Sequence, residues 1–482
     1  MATDIENSGT GKSFSLHVNE GPDHDIIVVG GGVSGSIAAI AAAQCGMRVL
    51  LIEEHGFLGG SLTSMGVSPM MSFHNPAGVQ VVGGIPDELV RRLVARNASP
   101  GHIPDTTSYC STVTPFDSEA LKIELEAMLD ESGGLALYHT QLAAVDVIDG
   151  KIASILVCNK AGLTSLKAKI FIDATGDGDL SARSGVPFTK GRDRDAASQP
   201  MTMNLKVSNV DSEAVRRYAL ANPDDFLWHG GKERGLERLA HSPRISLAGF
   251  LSEWNAARDR GEIDIPRDQV LLFETSEAGV FVVNTSRIIG LDATDPYQLS
   301  QAESMGRKQC VQIFEFLRRH AVGFSRAVRM GTPAKVGVRE SRHIQGRYLL
   351  TADDLLSLRE FPDVIAMGGY PIDIHSPDAA ETNTRNFDQS AIYQIPLGSL
   401  LPLNVDNLVV VGRCISATHE AAAAIRVTPI AMAIGQAGGV VAAKAVETNS
   451  TPARISTQSV QATLIAQGAL LPPYIETQAC TP

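Results

Sequence analysis

Residues 23–54 read DHDIIVVGGGVSGSIAAIAAAQCGMRVLLIEE, a stretch almost free of charge between Asp25 and Arg48. Three readings compete for it: a membrane span, a buried core segment, or a binding element. Length alone allows a span, since about 20 apolar residues cross a bilayer. The order of residue types argues otherwise. Residues 26–29 (IIVV) form a short β-branched run of the kind buried in parallel sheets. Three glycines follow at 30–32, and glycines are poor helix formers. Residues 33–45, rich in Ala and Ile, read as a helix stopping at Gly46, and residues 48–52 (RVLLI) read as a second strand. The stretch is strand, tight turn, helix, strand.

The turn carries the chemistry. Gly30-x-Gly32-x-x-Gly35 follows a strand and opens a helix, and Glu53 ends the next strand. That coincidence of strand, glycines, helix and acid is a dinucleotide signature, where the bare glycine pattern would equally suit a turn in an ordinary α/β protein. Gly30 permits the tight turn, Gly32 lets a pyrophosphate approach the backbone, and Gly35 lets helix and strand pack closely. The helix N-terminus offers unpaired N–H groups to phosphates. Glu53 is placed to accept from ribose hydroxyls.

The 482 residues allow about three domain-sized units. A hydrophobic content of 44% with 20% charged residues fits a soluble globular chain with a large core. The net charge of −12, without a basic run, argues against nucleic acid and anionic membrane surfaces as partners. Residues 1–22 are polar and lack a basic segment followed by an apolar core, so no secretory signal is expected there. The six cysteines are scattered with no Cys-x-x-Cys, which argues against a disulfide framework or a metal site and makes a reducing cytoplasm the expected compartment.

Further along, residues 117–132 read as an amphipathic helix capped by Asp117 or Ser118. Residues 135–179 alternate like a meander of strands, with Asp149-Gly150 as a hairpin signal. Residues 190–385 carry more charge, more helix and both tryptophans. From residue 407 the first style returns: NLVVVGR reads as strand then turn, and residues 429–445 as a small-residue helix, where glycines and short length favour burial over membrane insertion. The predicted fold is α/β: a Rossmann-like domain built from 23–189 and 386–470, an inserted α+β cap or substrate region at 190–385, a flexible tail at 1–22 and a C-terminal tail at 471–482.

Three separated segments share one family likeness: residues 30–35 with Glu53 and EEHGFLGG (53–60), IDATGDGDLSARSG (172–185), and NLVVVGRCISATHEAAAAIRVTPIAMAIGQAGG (407–439). On these the chain resembles the FAD-dependent oxidoreductases of the glutathione-reductase-like superfamily, in the branch related to fumarate reductase flavoproteins. The resemblance implies FAD as cofactor. It implies that the backbone at Gly30, Gly32, Ser34 and Gly35 holds the pyrophosphate, with Glu53, and Glu54 beside it, at the adenosine ribose. Gly59, Gly60 and Ser61 would pass beside the phosphates and ribityl chain, and Leu142 would meet the adenine edge through its backbone. Thr175, Gly176 and Asp177 would close the adenine side, and Gly412 and Arg413 would approach the ribityl chain. The helix opening near Pro429 would point its N-terminus at the flavin, with Arg426 adding a full charge. The chain departs from two-nucleotide disulfide reductases: residues 61–74 hold no cysteine, and no second Gly-x-Gly-x-x-Gly follows a strand. One dinucleotide, and no thiol chemistry, is the expectation.

FAD moves electrons, and the protein supplies position and proton transfer. His419, His74 and His375 are the candidate acid/base groups, with the first two ranked ahead. His74 also has a plain reading as a loop histidine bonded to backbone, and His419 as one that caps or orients backbone. Arg339 and Arg342 are candidate anion clamps, Arg342 preferred, although Glu340 between them equally suits an ion-pair network. Tyr370 and Tyr393 are further donors. Cys414 reads as a small buried residue, and His55 as the one candidate for covalent flavin attachment, with non-covalent FAD favoured. The pocket is expected between residues 65–74, GGYPIDIH (368–375) and 416–426. The leading function is an FAD-dependent dehydrogenase or oxidase that moves hydride from a small organic substrate to flavin N5, with O2 or another acceptor reoxidising it. A flavin monooxygenase using NAD(P)H, suggested by GDGDLSARSG, and a non-catalytic electron-transfer flavoprotein subunit are the alternatives.

Overall fold

A computed structural model describes residues 15–380, 382–388 and 390–472. Most of the expected tail at 1–22 and nearly all of that at 471–482, with Cys480, lie outside the described residues. The decisive stretch folds as read. His24–Val29 is the central strand of a five-stranded parallel sheet in the order Leu408–Val410, Ala168–Asp173, His24–Val29, Val49–Ile52, Leu135–Leu137. Ile26, Ile27 and Val28 are fully buried, as a strand covered on both faces requires. Between the first two strands in sequence runs the helix Val33–Gln44.

The helix Thr428–Glu447 packs against Val33–Gln44 at backbone distance. A Cβ added to Gly435 would lie 2.2 Å from the Ser34 carbonyl oxygen, and one added to Gly439 would lie 2.2 Å from that of Ala38. The glycines that spoil this helix's propensity therefore permit the contact that holds the two ends of the chain together. The helix is long and apolar enough to cross a membrane, but 83% of its apolar window is buried inside the protein.

A second sheet continues the same domain. Gln141–Ile148 and Lys151–Asn159 form a hairpin turned by Asp149 and Gly150, both with positive φ, the geometry that Asp-Gly supplies in a two-residue turn. The helix Ser118–Glu131 starts as expected, Asp117 accepting from the backbone N–H of Glu119 and Ala120.

The middle region has its own core, formed by buried residues between Met201 and Val338. Its sheet is antiparallel, in the order Ser246–Gly249, Val270–Glu274, Phe281–Val283, Leu205–Ser208, Val328–Gly331. Helices include Leu251–Asp259 and the long Pro296–His320. The chain enters this cap along Phe188–Lys190 and leaves along Arg342–Ile344, and these two strands pair antiparallel, Thr189 opposite His343. The cap is thus shorter on its C-terminal side than the expected 190–385. Ile344, Leu350, Ile372 and their neighbours pack into the first core, because the strands Val364–Gly368 and Tyr393–Pro396 lie against the helices of the dinucleotide domain.

Candidate active site

The carboxyl ends of the parallel strands open into a continuous cavity of about 800 Å³. This is where ligands collect in open α/β sheets. One end is walled by Gly30, Gly32, Ser34, Glu53 and Glu54, with Thr140, Leu142, Thr175 and Gly176 alongside. Asp177, Gly412, Arg413 and Lys335 line its middle, with Gly60, Ser61 and Met65. The far end lies under the cap, among Tyr109, His229, Arg267, Arg339, Tyr370, Asp373, His375 and Arg426.

The first end fits a dinucleotide on its own geometry. Gly30 has φ +102°, and a Cβ there would sit 2.5 Å from the Ala174 carbonyl oxygen. Gly59 donates to the Gly31 carbonyl at 2.9 Å, so the two glycine segments run side by side, and a side chain at Gly60 would strike Gly32 Cα at 2.6 Å. The result is a crevice walled by backbone. Gly35 has a packing role, since a Cβ there would lie 1.8 Å from the Gly30 oxygen; neither Gly35 nor Gly59 lines the cavity. The helices Val33–Gln44 and Thr428–Glu447 begin at the cavity with no side chain capping their first N–H groups. Elsewhere Asp117, Asp211, Asp295, Thr351, Thr418 and Ser456 cap helices. Two uncapped N-termini aimed into one cavity are a seat for anionic groups.

Glu53 is buried at the end of its strand. Its Oε2 accepts from the Gly31 backbone N–H at 2.7 Å, and its Oε1 from His55 N and Nδ1 at 2.7 and 2.8 Å. His55 therefore belongs to the ribose-acid end of the cavity. Glu54 pairs with Lys335, which reaches over from the cap at 3.2 Å. Arg413 donates to Asp177 Oδ1 at 2.7 Å and to Ser341 Oγ at 2.9 Å. Burial opposes ionisation of Asp177, but Arg413 and Lys335 outweigh it and hold its carboxyl below the usual range. The loop carrying Thr175–Gly178 hangs from the buried Asp173, which accepts from Thr175 N and Oγ1 and from Ser181 N and Oγ.

Of the expected catalytic residues, His375 opens on the cavity and the others do not line it. His419, 5% exposed, donates from Nδ1 to Glu340 Oε1 at 2.7 Å, and His343 donates from Nε2 to the same oxygen at 3.0 Å. Burial opposes the Glu340 charge, yet its bonds to His343 and His419 push it down to about 2. This is a buried network that braces the cap exit, so the ranking of His419 ahead of His375 is reversed. His74 faces away, its Nδ1 2.9 Å from Thr112 Oγ1 and its ring edge-on to His102. Burial, then His102, push it down to about 4. Arg342 commits its Nη1 to the Asp177 carbonyl at 2.9 Å and Asp179 at 3.0 Å and does not line the cavity; Arg339 does, reversing that order too. Tyr393 is a core residue bonded to the Ala424 carbonyl at 3.3 Å, whereas Tyr370 reaches Asp373 Oδ2 at 3.3 Å. Among residues 416–426 only Arg426 lines the cavity. Cys414 is fully buried.

The chamber under the cap centres on Asp373 and His375. His375 Nε2 lies 3.3 Å from Asp373 Oδ2. Its Nδ1 faces Thr382 Oγ1 at 3.2 Å and Arg287 Nη1 at 3.5 Å. A guanidinium only donates, so Nδ1 is the acceptor and Nε2 carries the proton. Burial, then the Arg339 charge, push the imidazole down to about 3. Asp373 stays ionised well below the usual carboxylate range; burial opposes this, and His375 and Arg426 outweigh it. Sequence reading missed Arg267, Tyr109, His229 and Lys335. They sit in loops and cap segments with no motif, and only the fold brings them to the cavity; Asp373 was within reach, two residues before His375.

A family model described as FAD dependent oxidoreductase matches residues 25–464. The chain belongs to this family of FAD-dependent oxidoreductases, and its cofactor is FAD. Among curated proteins it is 47% identical over 53 residues to the dihydrolipoamide dehydrogenase of Chaetomium thermophilum, 11% of this chain and 10% of that protein. It is 37% identical over 76 residues to the mitochondrial dihydrolipoyl dehydrogenase 2 of Arabidopsis thaliana, 14% of this chain and 15% of that protein. The matches span a small part of those relatives' length. Among solved structures it is similar to a geranylgeranyl bacteriochlorophyll reductase-like protein of Thermoplasma acidophilum, with TM-score 0.43 and 15% identity over 93% of this chain and 83% of that one. It is also similar to the p-nitrophenol 4-monooxygenase of Pseudomonas putida DLL-E4, with TM-score 0.46 and 11% identity over 93% and 85%.

Proposed function

We propose that the protein is a dehydrogenase or oxidase that oxidises a small organic molecule enclosed under the cap, with His375 as the base. Bound FAD would supply the two-electron acceptor, seated by Gly30, Gly32, Ser34, Glu53, Leu142, Thr175 and Gly412. The observation that carries the reading is the neutral His375 beside an ionised Asp373 in the same cavity as the glycine crevice. At neutral pH Nδ1 is unprotonated, and it can take a proton once the Thr382 hydroxyl and the Arg287 N–H are displaced from it. Asp373 fixes the tautomer through Nε2–H and offsets the positive charge that appears when Nδ1 takes the substrate proton. A positioned base contributes about 10²–10⁴ in rate when its proton affinity is matched to the working pH, which here requires a bound group that offsets the Arg339 charge holding His375 down. Tyr370 and Tyr109, whose hydroxyls burial keeps protonated, stand at the same chamber, Tyr370 donating to Asp373 Oδ2 at 3.3 Å and Tyr109 lying 3.1 Å from Thr384 Oγ1.

The test is anaerobic. The purified yellow protein is mixed with a panel of alcohols, amines and hydroxy acids, and loss of flavin absorbance is followed. Bleaching by a substrate alone, slowed about 10²–10⁴-fold in His375→Gln, supports the reading. Bleaching by NADPH but by no substrate would move the assignment to a monooxygenase.

A further inference from the structure

Among the described residues, the cap end of the cavity holds more buried positive charge, at Arg267, Arg339 and Arg426, than the carboxylate of Asp373 neutralises. Arg267 is 5% exposed, and its Nε and Nη1 have no hydrogen-bond partner among the described residues. Its backbone is fixed, because the buried indole of Trp254 donates to its carbonyl at 2.7 Å. Asp268, next in the chain, is turned away to Arg258 at 2.9 Å. Arg339 anchors one nitrogen on the Pro200 carbonyl and on Thr202 and presents its remaining donors to the cavity. Arg426 makes long contacts, at 3.3 Å to the Asp373 carbonyl, 3.7 Å to Asp373 Oδ2 and 3.4 Å to Gln199, and its Nε has no partner among the described residues. Among the described residues lining this end, Asp373 is the carboxylate that faces them. Water could satisfy the free N–H groups, but it leaves the charge unbalanced, and a buried charge without a counter-charge is costly.

We propose that the substrate is an organic acid whose carboxylate is clamped by Arg267 and Arg339, with Arg426 as the third cation. This deepens the oxidation reading and rests on it for the word substrate; the anion site itself stands on the arginines alone. The planar fork of a guanidinium matches two carboxylate oxygens at once. Arg267 belongs to the cap, Arg339 to its exit, and Arg426 to the segment before the flavin-side helix, so an anion between them joins cap to dinucleotide domain. The reacting carbon then lies next to the carboxylate, within the span between the clamp and His375.

The test uses the FAD-loaded full chain. Acetate, oxalate, lactate and benzoate, their neutral amides, and inorganic phosphate and sulfate are titrated at millimolar concentration, with shifts in the flavin spectrum and titration heat as readouts. The expected result is binding by at least one carboxylate and none by its amide, weakened about ten- to a hundredfold in Arg267→Gln with unchanged FAD content. Arg267→Lys, which keeps the charge and loses the fork, should fall between. Equal binding of acid and amide, silence of the whole set, or an unaltered affinity in a folded Arg267→Gln overturns the clamp. Preference for phosphate or sulfate over every carboxylate overturns the carboxylate assignment in favour of a tetrahedral oxyanion. An acid that binds through Arg267 yet never bleaches the flavin leaves the clamp standing and removes the oxidation reading.

Discussion

Asp373 Oδ2 sits 3.3 Å from His375 Nε2, on the side of the ring opposite Arg287. In the proposed reaction the pair acts as base and orienter from one strand, since both residues lie on Ile372–His375. Asp373→Asn should retain FAD and substrate affinity yet lose about 10²–10⁴ in the rate of flavin reduction. Single-turnover stopped-flow measurement checks this; a loss confined to substrate affinity would contradict it.

The acid limb of stability follows from the same ring. His375 in the folded protein is held down to about 3, against 6.5 for an ordinary histidine. The unfolded chain thus binds the extra proton between those values, and stability is complete above about pH 6.5 and falls as pH drops toward 3. His74, held down to about 4, adds in the same direction. A tenfold difference in proton affinity between the folded and unfolded chain is worth about 1.4 kcal/mol. The melting temperature should fall from pH 7 to pH 4, and less steeply in His375→Gln.

Binding of a carboxylate ligand beside Arg339 should raise the proton affinity of His375, because that guanidinium is the second largest cause of its low value. The apparent kinetic pKa of the base is therefore expected to be higher at saturating substrate than in the free enzyme. Comparing the pH profiles of kcat and kcat/KM reads the two states.

His419→Gln separates structure from chemistry. Glutamine keeps a donor toward Glu340, so flavin reduction should stay within about twofold of the parent. Glu340→Ala should lower stability by about 1–3 kcal/mol or more, since it leaves the buried donors of Gln199 N, His343 and His419 without their acceptor. A large rate loss in a folded, FAD-loaded His419→Gln would restore that histidine as the acid/base group.

Two backbone-level substitutions test the cofactor cradle. Glu53→Ala removes the acceptor at the ribose position and should release FAD on dialysis, seen as a lower ratio of flavin to protein absorbance. Gly435→Ala forces a Cβ to 2.2 Å from the Ser34 oxygen and should cost about 1–3 kcal/mol of stability, measured by denaturant titration.

The dinucleotide half was legible because its signals are local. Strand hydrophobicity, glycine spacing and the acid at 53 all sit within one βαβ unit, and Asp149-Gly150 and Asp117 announce their turn and cap through their own chemistry. The chamber was not legible, because its side chains come from segments far apart in sequence. Arg267 is placed by Trp254, and Tyr109 by a loop held on Asp105; neither contact has a periodicity. His419 misled for a related reason. It lies in the most recognisable motif, whose conspicuous residues also build the fold, and its partner Glu340 is 79 positions upstream. The cap's C-terminal limit was drawn too late because composition does not reveal which core a strand joins.

The pairing of Phe171 with Leu408, and the seat of Gly435 on Ser34, also govern how the chain is made. During synthesis, at about 5–20 residues per second, the alanine-rich side of the helix Val33–Gln44 emerges long before its partner exists. The cap core, contained between Met201 and Val338, has all its residues while the sheet still lacks its last strand. The nascent protein thus carries a finished insert on an unfinished host for roughly a hundred residues of translation. Until the helix Thr428–Glu447 has been made, that alanine surface has no partner in the chain to cover it.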